Sequence, residues 1–369
     1  MKITILSPAH PFRGGIAASS ERLAMEFIDL GHEVLIYTFT RQYPSLLFPG
    51  KTQFSESPPP PGLKIKRMIH AYNPFNWIAA GLALRKLETD IIIVRYWIPF
   101  MAPALGTIVA LGKKKRKTFG LVDNIIPHEK HFYDKILSSY FTRFMDAFVV
   151  MSKSVKEELK DFISYQSVEY QPHPIYDIYG PKISRELALE KLGLAPDCRY
   201  ILFFGFIRDY KGLDLLLKAF AEPVFADQDM KLIIAGEFYG NRDKYEALID
   251  SLGIRDRLII KSDFISDPEV KNYFCAADLL VQPYKTATQS GIAQIAYHFE
   301  LPMVVSNVGG LPEIVINDKS GYVVERDPKQ IAEAIQKYFN EKKSETFRSG
   351  TRELKNRFSW TKLAGAFLD

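Results

Sequence analysis

Apolar residues occur along this chain in short blocks that alternate with segments of helical period. The first half reads ITILSP, a helix from Ser19 to about Gly31, then EVLIYTF, LKIKRM, DIIIVRYW, KTFGLV and AFVVMS. Ser20 ahead of Leu23, Met25, Phe27 and Ile28, with Gly31 as terminator, has the pattern of a capped helix between two strands. Ile91-Ile92-Ile93-Val94 is apolar at successive positions, which means burial on both faces and a parallel sheet. The second half restarts the rhythm with YILFFGFI, a helix GLDLLLKAF, then KLIIAGEF, RLIIKSDF, LLVQPY and PMVVSNV. Within it, Thr286 to Val315 reads as a loop, an amphipathic helix, a strand and a Gly-Gly turn, with small polar residues gathered at the helix start. The expected fold is α/β, two doubly wound Rossmann-like domains whose carboxyl-end loops face a central cleft.

A length of 369 residues also points to two domains. Pro172, Pro174 and Pro181 break the apolar rhythm, placing a linker between Gln166 and about Pro196. The expected division is 1–175, 176–345 and a helical segment 346–369 that packs back toward the first domain. Ser55 to Gly62, with four prolines, is a surface loop without chemistry. Composition, 47% hydrophobic and 25% charged, excludes disordered and fibrous classes. Cys198 and Cys275 are isolated, which offers neither a disulfide framework nor metal-ligand spacing and points to a reducing cytosol. Ile3 to Leu6 is too short for a signal peptide, and Trp97 to Gly112, interrupted by Pro99 and Pro103, falls short of the about 18 residues of a spanning helix.

Net charge is +5, and no nucleic-acid-binding module appears, so no nucleic-acid partner is expected. The distribution of charge changes the picture more than its sum. Five consecutive basic residues, Lys113 to Lys117, follow the apolar stretch directly. Either residues 97–117 make a peripheral membrane contact, with Trp97, Phe100 and Met101 beside anionic lipid, or the basic run is a helix end that complements the dipole.

Candidate chemistry lies at strand ends. Pro11-Phe12-Arg13-Gly14-Gly15-Ile16 follows the first strand, where paired glycines let backbone approach a ligand and the next helix offers N–H groups to an anion. It lacks the G-x-G-x-x-G spacing of dinucleotide sites, and a plain glycine turn is the alternative. Arg208-Asp209-Tyr210-Lys211-Gly212 sets two cations after a second-half strand. They suit a diphosphate, the guanidinium by paired hydrogen bonds and the ammonium as a point charge, or else they are solvated charges. Thr288-Gln289-Ser290-Gly291 precedes a helix whose first N–H groups are open to phosphate oxygens.

In this order, Gly14-Gly15, Arg208 to Gly212, Ser290-Gly291 and Gly309-Gly310-Leu311-Pro312-Glu313 resemble the family-4 retaining glycosyltransferases of the GT-B fold over essentially the whole chain. The resemblance implies a nucleotide-sugar donor bound mainly by the second domain and an acceptor, a glycan or lipid-linked saccharide, held mainly by the first. It implies no metal and no cofactor, the nucleoside diphosphate sugar being a substrate. Arg208 and Lys211 would hold the diphosphate and stabilise charge on the leaving nucleotide, fixed cations standing in for Mg²⁺. Gly14, Gly15, Ser290, Gly291 and Ile292 would line the diphosphate and sugar through backbone N–H groups. The implied reaction moves a hexosyl unit to a hydroxyl with retention, by front-face attack assisted by the donor phosphate. Glu237, after Ala235-Gly236, reads as a contact to the donor base or ribose, or as a rim carboxylate. Glu313 reads as a family marker or as a helix-start carboxylate.

The chain departs from the family pattern twice. The usual pair of glutamates eight positions apart falls, counting back from Pro302, on Ala287 and Ile295, with Thr288, Gln289 and Gln294 beside them. Donor contacts then pass to backbone N–H groups and amides, Gln289 among them. Many relatives also place a histidine directly after the strand KTFGLV, where this chain has Asp123, with His128 five residues later. Asp123 is the first candidate for catalysis at the sugar or acceptor and His128 the second, with Asp123 or Glu129 as base. Alternatively, His128-Glu129 caps the following helix. A nucleotide-sugar epimerase of the same shape and a two-domain protein that closes on a sugar without chemistry are the other readings. The expected location is cytoplasmic, or the inner face of the cytoplasmic membrane.

Overall fold

The computed structural model describes residues 1–43, 53–55, 58–126, 131–226, 229–240 and 242–368. His128 and Glu129 lie outside the described residues. The chain forms two compact units, Met1–His173 with Trp360–Asp369, and Pro174–Ser359.

The first unit is built on β1 (Lys2–Leu6), β2 (Glu33–Arg41), β3 (Lys64–His70), β4 (Ile91–Tyr96), β5 (Lys117–Val122), β6 (Ala147–Val150) and β7 (Ser167–Tyr170). They form one parallel sheet in the order β3-β2-β1-β4-β5-β6-β7. The unbroken apolar run of β4 follows from this position. Ile92 and Val94 enter a core with Leu84, Ile108 and Phe141, while Ile91 and Ile93 enter a core on the other face with Phe27, Trp360 and Phe367. The carboxyl-terminal residues belong to that second core, and Thr361 Oγ1 donates to Glu26 Oε1 at 2.6 Å.

Three expectations change here. The first helix spans Gly15–Asp29 and not Ser19 onward, because Gly14, at φ 112°, lets the chain turn straight into it. Ser20 is therefore interior, and its hydroxyl donates back to Ile16 O at 2.8 Å. The expected linker contains β7 and a helix, Arg185–Leu192, capped by the Ser184 hydroxyl. β7 escaped notice because an edge strand needs no apolar run, and its prolines mark only the segment after it. Finally, Trp97 is 8% exposed and Met101 0%, while Phe100 packs partly buried against Tyr43. These side chains fill the core under the helix Ala102–Gly112 and are not presented to a bilayer.

The second unit carries β8 (Arg199–Phe204), β9 (Met230–Ala235), β10 (Leu258–Lys261), β11 (Leu279–Gln282), β12 (Met303–Ser306) and β13 (Gly321–Val324). Its parallel sheet has the order β10-β9-β8-β11-β12-β13. The strand order reverses between β1 and β4 in one unit and between β8 and β11 in the other. In open α/β sheets the crevice outside such a switch point is where ligands bind.

The Gly-Gly turn after β12 braces the loop that leads into the helix Gly291–Phe299. Gly309 sits at φ 49°, and a Cβ there would lie 1.4 Å from the Ala287 carbonyl oxygen. Gly309→Ala is expected to lower stability in urea unfolding by at least about 2 kcal/mol, as overpacking against backbone does. Gly365→Ala, where a Cβ meets nothing within 4 Å, should stay near wild type.

Candidate functional site

The switch point of the second sheet gathers most of the expected donor-binding residues. β8 ends at Phe204, and Gly205 after it, at φ 95°, turns the chain out of the sheet. The backbone runs on beside β9, Ile207 N–H donating to Glu237 O at 2.8 Å and Tyr239 N–H to Ile207 O at 2.9 Å. A 3₁₀ turn, Asp209–Lys211, follows. It is seated on the segment after β11, since a Cβ at Gly212 would lie 1.9 Å from Pro283 O and Lys285 N–H donates to Tyr210 O at 2.7 Å. This seating turns Lys211 inward.

Lys211 is 8% exposed. A Cβ at Gly205 would meet Lys211 Nζ at 3.1 Å and Ile292 Cδ1 at 3.2 Å, so the glycine is the floor on which the ammonium and Ile292 come together. The Tyr284 ring centroid lies 5.8 Å from Nζ. Among the described residues no carboxylate pairs with this lysine. The neighbouring Asp209 is held elsewhere, by Lys244 at 2.7 Å and Lys285 at 3.0 Å. Burial, with the charge of Arg208 second, pushes the Lys211 pKa down to about 7. Arg208 is exposed, its guanidinium 5.1 Å from the Tyr239 ring centroid.

Behind the lysine runs a polar connection that sequence reasoning did not find. Gln282 Nε2 donates to Tyr284 Oη at 3.0 Å and to Ser290 Oγ at 2.9 Å. Ser290 Oγ in turn accepts from Ala293 N–H at 3.2 Å and caps the helix Gly291–Phe299. One buried amide thus ties the aromatic platform beside Lys211 to a helix N-terminus. Its signal in the sequence was faint, a single polar residue closing the apolar strand LLVQ.

Gly291 has a second reason to be glycine, because a Cβ there would lie 2.8 Å from Tyr176 Cε2. Gln289 stands half-buried just before the cap. Ala287 and Ile295, at the slots where the family commonly has glutamate, are buried apolar residues. Gln294, next to Ile295, is 0% exposed, and neither of its amide atoms has a hydrogen-bond partner among the described residues. Glu237 is 7% exposed and so lies inside the fold and not on its rim. Glu313 is half-buried in the first turn of the short helix Leu311–Ile314.

The first unit places Gly14 as N-cap and Gly15 as first residue of its opening helix, at the carboxyl end of β1. Asp123 follows β5 directly and is 3% exposed. Both its oxygens accept from Arg95, Oδ2 from Nε at 2.7 Å and Oδ1 from Nη2 at 2.8 Å. Paired on both oxygens with a buried guanidinium, Asp123 fixes the loop after β5 to the neighbouring strand. Among the described residues no group of three His, Cys, Asp or Glu is placed to hold a metal ion.

Two family models together cover most of the chain, one described as "Glycosyltransferase Family 4" over residues 13–175 and one as "Glycosyl transferases group 1" over residues 184–353. The chain belongs to glycosyltransferase family 4. It is 25% identical to D-inositol 3-phosphate glycosyltransferase 1 of Catenulispora acidiphila over 311 residues, 78% of this chain and 73% of that one. Among solved structures it resembles a sucrose-phosphate synthase of Thermosynechococcus elongatus, with TM-score 0.77, 18% identity, and 99% and 97% of the two chains covered. It also resembles Anabaena Alr3699/HepE in complex with UDP, with TM-score 0.76, 16% identity, and 100% and 98% covered. The fold of this glycosyltransferase is GT-B, and neither the epimerase nor the non-catalytic reading is favoured.

A buried lysine without a counter-ion has a stability signature. The folded-state pKa of about 7 lies below the ordinary 10.5, so the unfolded chain binds a proton that the folded one releases between these values. Stability then rises with pH through this window, and the cost of the charge is fully present at pH 7 and below. The glycosyltransferase variant Lys211→Met should melt a few degrees above wild type at pH 6, about 1 kcal/mol being worth roughly 2–4 °C in a unit of this size. The gap should close as pH approaches 10. Paired melting curves across that range check the sign.

Proposed function

We propose that this glycosyltransferase moves a hexosyl unit, with retention of anomeric configuration and without a metal ion, from a nucleoside diphosphate sugar to a hydroxyl of a glycan or lipid-linked saccharide. The observation that carries the reading is the uncompensated pair Arg208 and Lys211 at the second unit's switch point, beside a helix N-terminus capped by Ser290. A diphosphate supplies the missing anion. Its first phosphate restores the charge on Lys211, and Arg208 takes further oxygens by paired hydrogen bonds. As the bond to the sugar breaks, negative charge grows on the leaving nucleotide, and both cations stabilise it without reorganisation.

The helix start contributes N–H groups of Gly291 and Ile292 to the same oxygens. Gln289 and the orphaned amide of Gln294 take the sugar and ribose hydroxyls in place of the absent glutamates. Glu237 serves the base or ribose. Asp123 acts through position, holding its loop through Arg95, and His128 is left as the candidate for direct contact with sugar or acceptor. The UDP seen in Anabaena HepE supports a nucleotide donor of this kind. Nucleotide sugars and two free thiols both fit a cytosolic reaction.

Incubation with a panel of nucleotide sugars should release nucleoside diphosphate from one of them, by transfer or slow hydrolysis. Release from none contradicts the reading. Arg208→Ala and Lys211→Ala should each lower turnover by about 10²–10³-fold while the fold persists, as loss of one fixed charge-stabilising contact does. Turnover within twofold of wild type in both variants would remove them from the site. EDTA should leave the rate nearly unchanged, whereas complete loss would show that a metal takes part.

A further inference from the structure

The helix Pro74–Lys86 is apolar on nearly every side, yet only one side is covered. Its start is pinned by Asn73, whose side chain accepts from the N–H groups of Phe75 and Asn76, and by Trp77 Nε1, which donates to His70 O at 2.8 Å. Inward it presents Ala80, Gly81 and Leu84 to the helix Ala102–Gly112. The approach is close, since a Cβ at Gly81 would lie 2.8 Å from Leu111 Cβ and one at Gly112 would lie 2.7 Å from Leu84 Cδ2. With small residues packed inward, the bulky ones point out. Phe75 is 84% exposed, Ile78 47% and Leu82 48%. Spacings of three and four align them in one stripe, on a helix whose composition belongs in an interior.

The carboxyl end of this stripe is basic. Arg85 and Lys86 are exposed there. Arg116 ties the next basic segment to the same helix end, its guanidinium donating to the carbonyls of Leu84 at 2.8 Å, of Arg85 at 3.2 Å and of Leu87. Lys114 and Lys115 are therefore held, exposed, beside Arg85 and Lys86, whereas Lys117 points to the other face of the sheet, over Phe119. Among the described residues none of the four cations Arg85, Lys86, Lys114 and Lys115 has a carboxylate partner. Glu33, Glu88 and Asp90 line a hollow together with Lys86 and Lys114, but there Glu88 pairs with Lys2 at 2.7 Å and Asp90 accepts Lys2 N–H at 2.8 Å, while Asp146 pairs with Lys113 at 2.9 Å.

We propose that this face of the first unit docks on an anionic bilayer surface. Phe75, Ile78 and Leu82 enter the boundary between headgroups and acyl chains, and Arg85, Lys86, Lys114 and Lys115 meet lipid phosphates. Charge complementarity selects this occupant. The helix itself carries no Asp or Glu, so the same helix of a second copy brings no anion to the four cations. The contact differs from one through Trp97 and Met101, which are buried, and it does not depend on the donor chemistry.

Flotation of the intact chain with vesicles tests it, using phosphatidylcholine alone and phosphatidylcholine mixed with phosphatidylglycerol. Wild type should float with the anionic vesicles at least about tenfold better than with the neutral ones. Recovery should fall between 0.1 M and 1 M salt, as the Debye length shrinks from about 10 Å to about 3 Å. Phe75→Ser with Leu82→Ser, and separately Lys114→Gln with Lys115→Gln, should each reduce recovery about tenfold. All four positions are exposed, so melting temperature should hold. Equal recovery on both vesicles, undiminished recovery in both variants, or no flotation overturns the proposal. A dimer that dissociates in the Phe75→Ser, Leu82→Ser variant while neither vesicle recruits wild type would assign the face to self-association instead.

Discussion

A lysine held out of water without a counter-ion is the constraint around which the second unit is arranged. Desolvation opposes the charge on Lys211, and Arg208 opposes it further. The fold meets this cost and keeps the carboxylates away. Asp209, next but one in sequence, is engaged by Lys244 and Lys285. The glutamate slots of the following loop and helix hold Ala287 and Ile295. What remains is a local deficit of negative charge at a sheet switch point, the feature on which the proposed diphosphate site rests.

Backbone geometry enforces the arrangement more than side-chain packing does. Gly205 and Gly212 both have positive φ, and a Cβ would crowd Lys211 and Ile292 at the first and strike Pro283 O at the second. Gly309 does the same for the loop before the capped helix. Gln282 then joins two parts of the site that are distant in sequence, Tyr284 beside the lysine and Ser290 at the helix start. From Thr286 to Phe299 there is no carboxylate, and the polar side chains at Gln282, Gln289 and Gln294 are amides, which offer hydrogen bonds without added charge.

Much of this was legible in the chain. Consecutive apolar positions such as Ile91 to Val94 announced strands buried on both faces, and glycine pairs and cations after strands announced the loops. Less legible were features that depend on three dimensions. β7, half-exposed at a sheet edge, lacks an apolar run. Ser20 looked like a helix cap until Gly14 proved to start the helix earlier. Asp123 looked like a free carboxylate because nothing in sequence links it to Arg95, which is buried on the adjacent strand. The apolar stretch from Trp97 looked surface-active and is core, whereas the exposed apolar stripe lies on a helix whose small residues gave no sign of which side would face inward.

Lys211 as the proposed diphosphate ligand should be neutral when the site is empty and charged when a diphosphate occupies it. Calorimetry of nucleoside diphosphate binding at pH 8, in two buffers of different ionisation enthalpy, counts the protons exchanged. With a free-state pKa of about 7 and a cationic bound state, uptake should be close to one proton in wild type and close to zero in Lys211→Met. Binding that takes up no proton in wild type, or the same number in both proteins, would contradict the assignment of Lys211 to the diphosphate.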